Sequence, residues 1–429
     1  MWFQSLASFG LAISAVTAIS TISTKGSKFF TDDGNQFYIK GIAYQLVPDD
    51  PLIDADQCEL DSSKMKDIGA NAIRVYHVDP TADHKDCMKA FADNGIYLFV
   101  DLDTFNTQIE QTNAHWNQSQ LTAFTKVLDE FAQFDNTAGV FVGNEVITTE
   151  NGSNAAPYVK AAARDVKAYR DSKDMRKIPV GYSAADIAQL RPMLQNYLAC
   201  GTNVSESIDF FGLNAYEWCG KNTFESSGYE PLTKNASDYS IPIFFSETGC
   251  HTDPPRDFAD QAAIFGDQMN DVWSGSMIYE WIQEANEYGL VNYGPKMDPS
   301  TVTDSPDGYP RKGSPTPMSP DYSNLKSQWA TLTPSGTKSS AYSVTKTPPA
   351  CPSSMEGIWN VDANVDLPLV GQSVMEGGAS ASASATQQPD GTAAADPTSS
   401  RQGAASGGKE IAVMSVGLAG VMLGFLWWL

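Results

Sequence analysis

Apolar positions along the chain gather into eight short runs rich in β-branched and aromatic residues. They are Phe37–Gly41, Ala72–Val78, Ile96–Asp103, Gly139–Val146, Ile178–Ala184, Ile208–Tyr216, Ile241–Thr248 and Met277–Trp281. Each is nearly continuous in apolar character rather than alternating, as a strand buried on both faces should be. Between them the spacing turns helical. Gln120–Phe134 places Leu121, Phe124, Val127, Leu128 and Phe131 on one stripe, and Ala156–Arg170 and Phe258–Val272 follow the same period. Strand and helix alternating in this way predict an α/β fold, a (β/α)8 TIM barrel. An open doubly wound sheet usually carries a glycine-rich phosphate loop after its first strand; Gly41-Ile-Ala-Tyr-Gln-Leu46 is not one. From Pro295 the pattern decays into Ser-, Pro- and Asp-rich text, with a last helical stretch at Tyr322–Leu332.

Polar residues collect where the runs end. In order they are Tyr44 and Gln45; Arg74 and Tyr76; Asp101 and Asp103; Asn144 and Glu145; Asp186 with Arg191; Asn214, Tyr216 and Trp218; Glu247; and Tyr279, Glu280 and Trp281. A barrel of this kind keeps its active site at the C-terminal ends of its strands. Two glutamates delivered there, Glu145 and Glu247, make a glycosidase-type pair: one acid protonates the leaving oxygen and one carboxylate meets the anomeric carbon. Asn144 can hold a sugar hydroxyl. Tyr216 can donate to Glu247 and keep it ionised. A negative Glu247 would in turn raise the pKa of Glu145, which has to stay protonated. Tyr76, Tyr279, Tyr288 and Trp218 offer amphipathic surfaces to sugar rings. The plainer alternatives are that Asp101 and Asp103 form turns and that Arg74 pairs with a strand-end acid. His77, His84, His115 and His251 show no ligand spacing, so neither a metal nor a cofactor is expected.

The formal net charge is −23, and no Lys/Arg cluster offers the basic stripe that a nucleic acid requires. Residues 1–18 read as a secretory signal peptide: the apolar stretch Leu6–Ala18 closes on Val16-Thr-Ala18. Residues 19–351 are the barrel with a C-terminal return segment. Residues 352–405 are expected to be a disordered Ser/Ala-rich stalk, low in complexity from Gly377 on. Residues 406–429 end in an uncharged apolar run, Ile411–Leu429, and fit a GPI-attachment signal removed from the mature chain. Secretion permits disulfides, and the six cysteines, Cys58, Cys87, Cys200, Cys219, Cys250 and Cys351, contain no C-x-x-C pair. Their pairing does not follow from sequence alone. Asn117, Asn151, Asn203 and Asn235 begin N-glycosylation sequons.

The motifs Arg74-Val-Tyr76, Asp101-Leu-Asp103, Gly143-Asn-Glu-Val146, Gly181-Tyr-Ser-Ala-Ala-Asp186, Phe211-Gly-Leu-Asn-Ala-Tyr-Glu-Trp-Cys219, Phe244-Phe-Ser-Glu-Thr-Gly-Cys250 and Tyr279-Glu-Trp281 resemble those of the fungal β-1,3-glucanosyltransferases of glycoside hydrolase family 72. The resemblance covers roughly residues 22–330, and the leader, stalk and tail fit it too. It implies that Glu145 is the acid/base and Glu247 the nucleophile. It implies that Tyr76, Asp103, Asn144, Asp186, Arg191 and Tyr279 contact glucan, and that Cys58 pairs with Cys87, Cys200 with Cys351 and Cys219 with Cys250. With no cysteines left for the cysteine-rich carbohydrate-binding module of many members, the chain resembles the single-domain subgroup. The implied partners are β-1,3-glucan donor and acceptor chains and, through the GPI anchor, the outer face of the plasma membrane and the cell wall. The protein is expected to act as a monomer. A plain endo-β-1,3-glucanase and a non-catalytic glucan-binding wall protein are the competing readings.

Overall fold

The structure is a computed structural model that describes residues 19–45, 50–301, 305, 307–363 and 366–374. The expected signal peptide, the GPI-attachment signal and the low-complexity part of the stalk lie outside the described residues. An antiparallel sheet comes first: β1 (Ile22–Lys25), β2 (Lys28–Thr31) and β3 (Gln36–Phe37). A closed parallel barrel follows, made of β4 (Ile39–Ala43), β5 (Ala72–Val75), β6 (Tyr97–Asp101), β7 (Thr137–Asn144), β8 (Val180–Ala185), β9 (Phe210–Asn214), β10 (Ile243–Thr248) and β11 (Trp273–Ile278). The helices between and after them are α1 (Ala55–Ile68), α2 (Lys85–Asp93), α3 (Gln118–Phe131), α4 (Ala156–Ser172), α5 (Arg191–Ala199), α6 (Tyr229–Ala236), α7 (Asp260–Ile264) and α8 (Asp321–Thr331). This is the (β/α)8 barrel the apolar runs predict. The last run caught only the end of β11, because Trp273-Ser-Gly-Ser276 hides its beginning behind small polar residues. The helix expected over Phe258–Val272 shrinks to α7, and Gly266 lies just beyond its end.

The barrel floor is aromatic. Phe99, Phe141, Phe210 and Phe244 point inward, and Phe29 from β2 closes over them, its ring centroid 5.7–6.1 Å from those of Phe99, Phe210 and Phe244. The small sheet thus seals the N-terminal end of the barrel. Gly181 leaves room for this packing: a Cβ there would lie 2.3 Å from the Phe210 ring. Helix ends are capped locally. Asp54 accepts from the Gln57 amide at the start of α1, and Gly69 ends that helix with φ +96°. Asn117 and Gln120 form a capping box on α3.

The three disulfides are those the resemblance implies: Cys58–Cys87, Cys200–Cys351 and Cys219–Cys250. The stalk, however, does not begin at residue 352. Trp359 is fully buried, its ring 5.6 Å from that of Tyr197 on α5. Backbone amides of Gly357 and Asn360 donate to Glu150 and Ser153, each at 2.9 Å. Arg164 on α4 donates to the Pro368 carbonyl at 2.8 Å, and the Val374 amide to the Tyr158 hydroxyl at 2.9 Å. One buried tryptophan turns polar, unpatterned text into part of the domain. Truncating it in Trp359→Ala is expected to cost about 3–5 kcal/mol, read as a shift of the denaturant midpoint at unchanged slope.

Candidate active site

The C-terminal ends of five strands converge on one buried arginine. Arg74, from β5, lies between the rings of Tyr76 and Phe141, its guanidinium carbon 4.4 Å from each centroid. Its Nε and Nη2 form a fork on Asp101 of β6 at 3.0 and 2.8 Å. Nη2 also donates to Asn144 Oδ1 of β7 at 3.1 Å. Nη1 donates to Ser183 Oγ of β8 at 3.0 Å and to Glu247 Oε1 of β10 at 3.4 Å. Burial by itself would lower this arginine's pKa; the neighbouring Asp101 and Glu247 outweigh it and hold the group charged. The sequence left Arg74 open between ion pairing and a place in the site, and it has both.

Each oxygen of Glu247 accepts from a tyrosine: Oε1 from the Tyr76 hydroxyl and Oε2 from the Tyr216 hydroxyl, both at 2.8 Å. Glu145 follows β7 with φ +48°, a left-handed backbone unusual outside glycine. Its Oε1 accepts from Asn214 Nδ2 at 2.9 Å, and the same amide group donates to Asn144 Oδ1 at 3.0 Å. Ser183 and Ser246 hold Asn214 from behind by donating to its Oδ1 at 2.9 and 2.8 Å. Hydrogen bonds therefore run without a break from Glu145 through Asn214, Asn144 and Arg74 to Glu247. The two glutamates, 102 positions apart in the numbering, share one rim and one network.

Burial pushes the Glu247 carboxyl up to about 7, and the charge of Glu145 adds to this; Arg74 and the two tyrosine hydroxyls pull it back. Burial, with the charge of Asp101, likewise raises Asp103 to about 7. Removing one donor from Glu247 therefore has a defined sign. Tyr216→Phe keeps the ring but loses the hydroxyl, so the Glu247 pKa rises. An activity that needs the carboxylate should then have its acid limb of kcat/KM moved to higher pH, by roughly one unit. An unmoved limb would mean that this carboxylate does not govern it.

Tyr76 and Tyr216 thus bond Glu247 directly, and Asn144 and Glu145 are joined to it through Asn214 and Arg74. Tyr279 packs edge-on against Tyr216 and Tyr288 at 6.5 and 5.4 Å. Tyr288, expected to offer an amphipathic surface to a sugar, is 4% exposed and lies between His251 and Tyr216 in the aromatic wall. Asp103 lies half-buried beyond β6, with Oδ1 unpartnered. Asp186 and Arg191 form an ion pair of their own beyond β8. Arg191 also borders a 240 Å³ hollow shared with Gln195, Leu232 and the sequon residue Asn235. Of the other sequon residues, Asn151 and Asn203 are exposed, whereas Asn117 is half-buried at its helix cap. Sequence reasoning marks Asn214 and Asp101 only as polar strand ends, with a turn as the plainer reading of Asp101, and it passes over Ser183 and Ser246. Asn214 stands at the end of its run as Asn144 does; its bonds to Glu145 and Asn144 depend on strand register and do not show in the sequence.

A parallel barrel with donor-held Glu247 on its seventh strand and Glu145 after its fourth has the build of a glycosidase-type enzyme. Residues 11–307 match the family model described as glucanosyltransferase, glycoside hydrolase family 72, and the chain belongs to that family. It is 39% identical over 368 residues to 1,3-beta-glucanosyltransferase gas2 of Schizosaccharomyces pombe, covering 82% of this chain and 76% of the relative. It is also 39% identical over 375 residues to 1,3-beta-glucanosyltransferase GAS5 of Saccharomyces cerevisiae, covering 85% of this chain and 73% of the relative. Protein EPD1 of Candida maltosa is 40% identical over 365 residues, and 62% of its length is covered, with 82% of this chain. Saccharomyces cerevisiae Gas2p, solved in complex with laminaritriose and laminaritetraose, superposes with a TM-score of 0.73 at 38% identity, over 82% of this chain and 77% of that one.

Proposed function

We propose that this chain cleaves a β-1,3-glucan internally and transfers the new reducing end to the non-reducing end of a second glucan, with retention of configuration, in fungal cell-wall assembly. The observation that carries the residue roles is the asymmetry of the two glutamates. Glu247 takes two hydroxyl donors and a guanidinium, which counter its burial and let its carboxyl, raised to about 7, serve as the anion a nucleophile requires above that pH. Glu145 takes one amide donor at the rim and is left to serve as acid, then base. In the first half-reaction Glu247 bonds to the anomeric carbon while Glu145 protonates the departing glycosidic oxygen. In the second, Glu145 takes the proton from the incoming 3-hydroxyl as that oxygen displaces Glu247. Transfer prevails over hydrolysis when an acceptor sugar occupies the leaving-group side and keeps water from the intermediate. Tyr76, Asn144, Asp103 and Tyr279 are assigned to the donor sugars on this reading, with Asp186 and Arg191 further along the cleft.

The protein would be secreted and act as a GPI-anchored monomer at the outer face of the plasma membrane and in the wall, with N-glycans on its sequons. Incubation with a reduced laminari-oligosaccharide tests the reaction. Products longer than the substrate are the expected result. Products that are only shorter would make the enzyme an endo-β-1,3-glucanase, and no products a glucan-binding wall protein.

A further inference from the structure

Behind the last barrel strand lies a buried acid that the chemistry above does not use. Asp61, on α1, is fully buried, and its hydrogen-bond partners are neutral donors. Three of them meet on one oxygen, Oδ2: the Tyr44 hydroxyl at 2.8 Å, the Tyr293 hydroxyl at 2.7 Å and Gln57 Nε2 at 3.0 Å. Oδ1 has no partner. A carboxyl group taken out of water without a cation beside it is costly, so packing does not account for it. What it supplies is an acceptor on which several donors can end. The Tyr293 hydroxyl itself accepts from Trp281 Nε1 at 3.1 Å. An indole only donates, so the chain of bonds runs one way, from Trp281 through Tyr293 to Asp61. Trp281 is where that chain reaches the site. Its amide donates to the Ala43 carbonyl at 2.9 Å, tying the end of the last strand to the first. Its carbonyl accepts from the Leu290 and Val291 amides at 3.0 and 2.9 Å. Tyr279 precedes Trp281 by two residues, and Tyr288 precedes Leu290 by two. Both rings pack against Tyr216, which donates to Glu247. Gln57 pins the chain further on by exchanging two bonds with Gly313, at 2.7 and 3.0 Å.

We infer that Asp61 is a positioning residue for glucan binding: as the common acceptor behind Trp281, it sets where the wall of Tyr279 and Tyr288 stands against Tyr216. The inference rests on the proposed function and adds to it a residue that acts only through others. The test compares wild type with Tyr293→Phe, Asp61→Leu and Asp61→Asn on a reduced laminari-oligosaccharide, at a temperature where circular dichroism shows each folded. Tyr293→Phe keeps the ring and breaks the chain to Trp281, while Asp61 retains its other two donors. It should raise KM about tenfold, the scale of one hydrogen bond, with a smaller change in kcat. Asp61→Leu should raise KM at least as far. Asp61→Asn, whose amide oxygen still accepts, should stay within about threefold of wild type. Should Asp61→Leu fail to fold, the other two variants decide. A Tyr293→Phe KM within about threefold of wild type, or a kcat that falls further than KM rises, would overturn the assignment, since a merely loosened fold loses active molecules rather than affinity. An Asp61→Asn protein no better than Tyr293→Phe would overturn it too. A wild-type protein that turns over no laminari-oligosaccharide would instead undo the proposed function. Calorimetric titration with the same oligosaccharide then decides: binding about tenfold weaker in Tyr293→Phe keeps the assignment, and unweakened or absent binding removes it.

Discussion

Replacing Glu247 with glutamine is expected to lower kcat/KM on glucan by on the order of ten-thousandfold or more, the scale on which covalent nucleophiles act, while the barrel stays folded. Glutamine preserves the shape at the end of β10, and its oxygen can still accept from Tyr76 or Tyr216. It cannot form the glycosyl ester. Activity within tenfold of wild type would move the nucleophile elsewhere. The same pair of proteins carries a stability signature. In the folded chain the Glu247 carboxyl is pushed up to about 7 from an ordinary value of 4.5, chiefly by burial. Between those two pH values the folded state holds more protons than the unfolded one. Stability therefore falls as pH rises through that window, and the loss is complete above about 7. Glutamine does not titrate. The melting temperature of wild type relative to Glu247→Gln should thus drop between pH 4 and pH 8. A constant difference would show that the site does not hold this proton.

Glu145→Gln should show the second large effect, roughly a hundred- to ten-thousandfold on glucan, the range of a lost general acid. The bond from Asn214 survives, since the glutamine oxygen still accepts it, so the network from Asn144 to Arg74 should remain intact. What is lost is the proton for the departing oxygen. An aryl laminari-oligoside with a nitrophenolate leaving group needs no such proton, so its first step should be nearly spared. Turnover would then stall on the second step, where the base is missing, and a burst of nitrophenol should precede it. Adding azide, a nucleophile that needs no base, should relieve the stall and yield a glycosyl azide of retained configuration. Equal slowing of both substrates with no burst would place the acid on another residue.

Much of this was legible in the sequence because the barrel's strands are buried on both faces, so that each prints as an apolar run. The glutamate pair was legible for a related reason: a glutamate that ends an apolar run must emerge at the strand's end. Lateral contacts were harder to read. The β1–β3 sheet is built from segments of two to four residues, too short for a period to show. The choice of Arg74 as hub depends on which strands are neighbours and at what register, and Tyr288 could be placed behind the aromatic wall only once its loop had folded back. Trp359 lies in text without helical or strand spacing, and it packs on Tyr197 of α5, a helix far back in the chain that the Cys200–Cys351 disulfide ties to this segment across 151 residues. The disulfide pairing itself entered through resemblance.

The closed floor of the barrel has a kinetic consequence. With Phe29 stoppering the lower end, every saccharide has to come and go through the upper mouth. On the proposed double displacement the released fragment leaves by that mouth before the acceptor enters to meet the glycosyl-enzyme, so initial rates with varied donor and acceptor should plot as parallel lines.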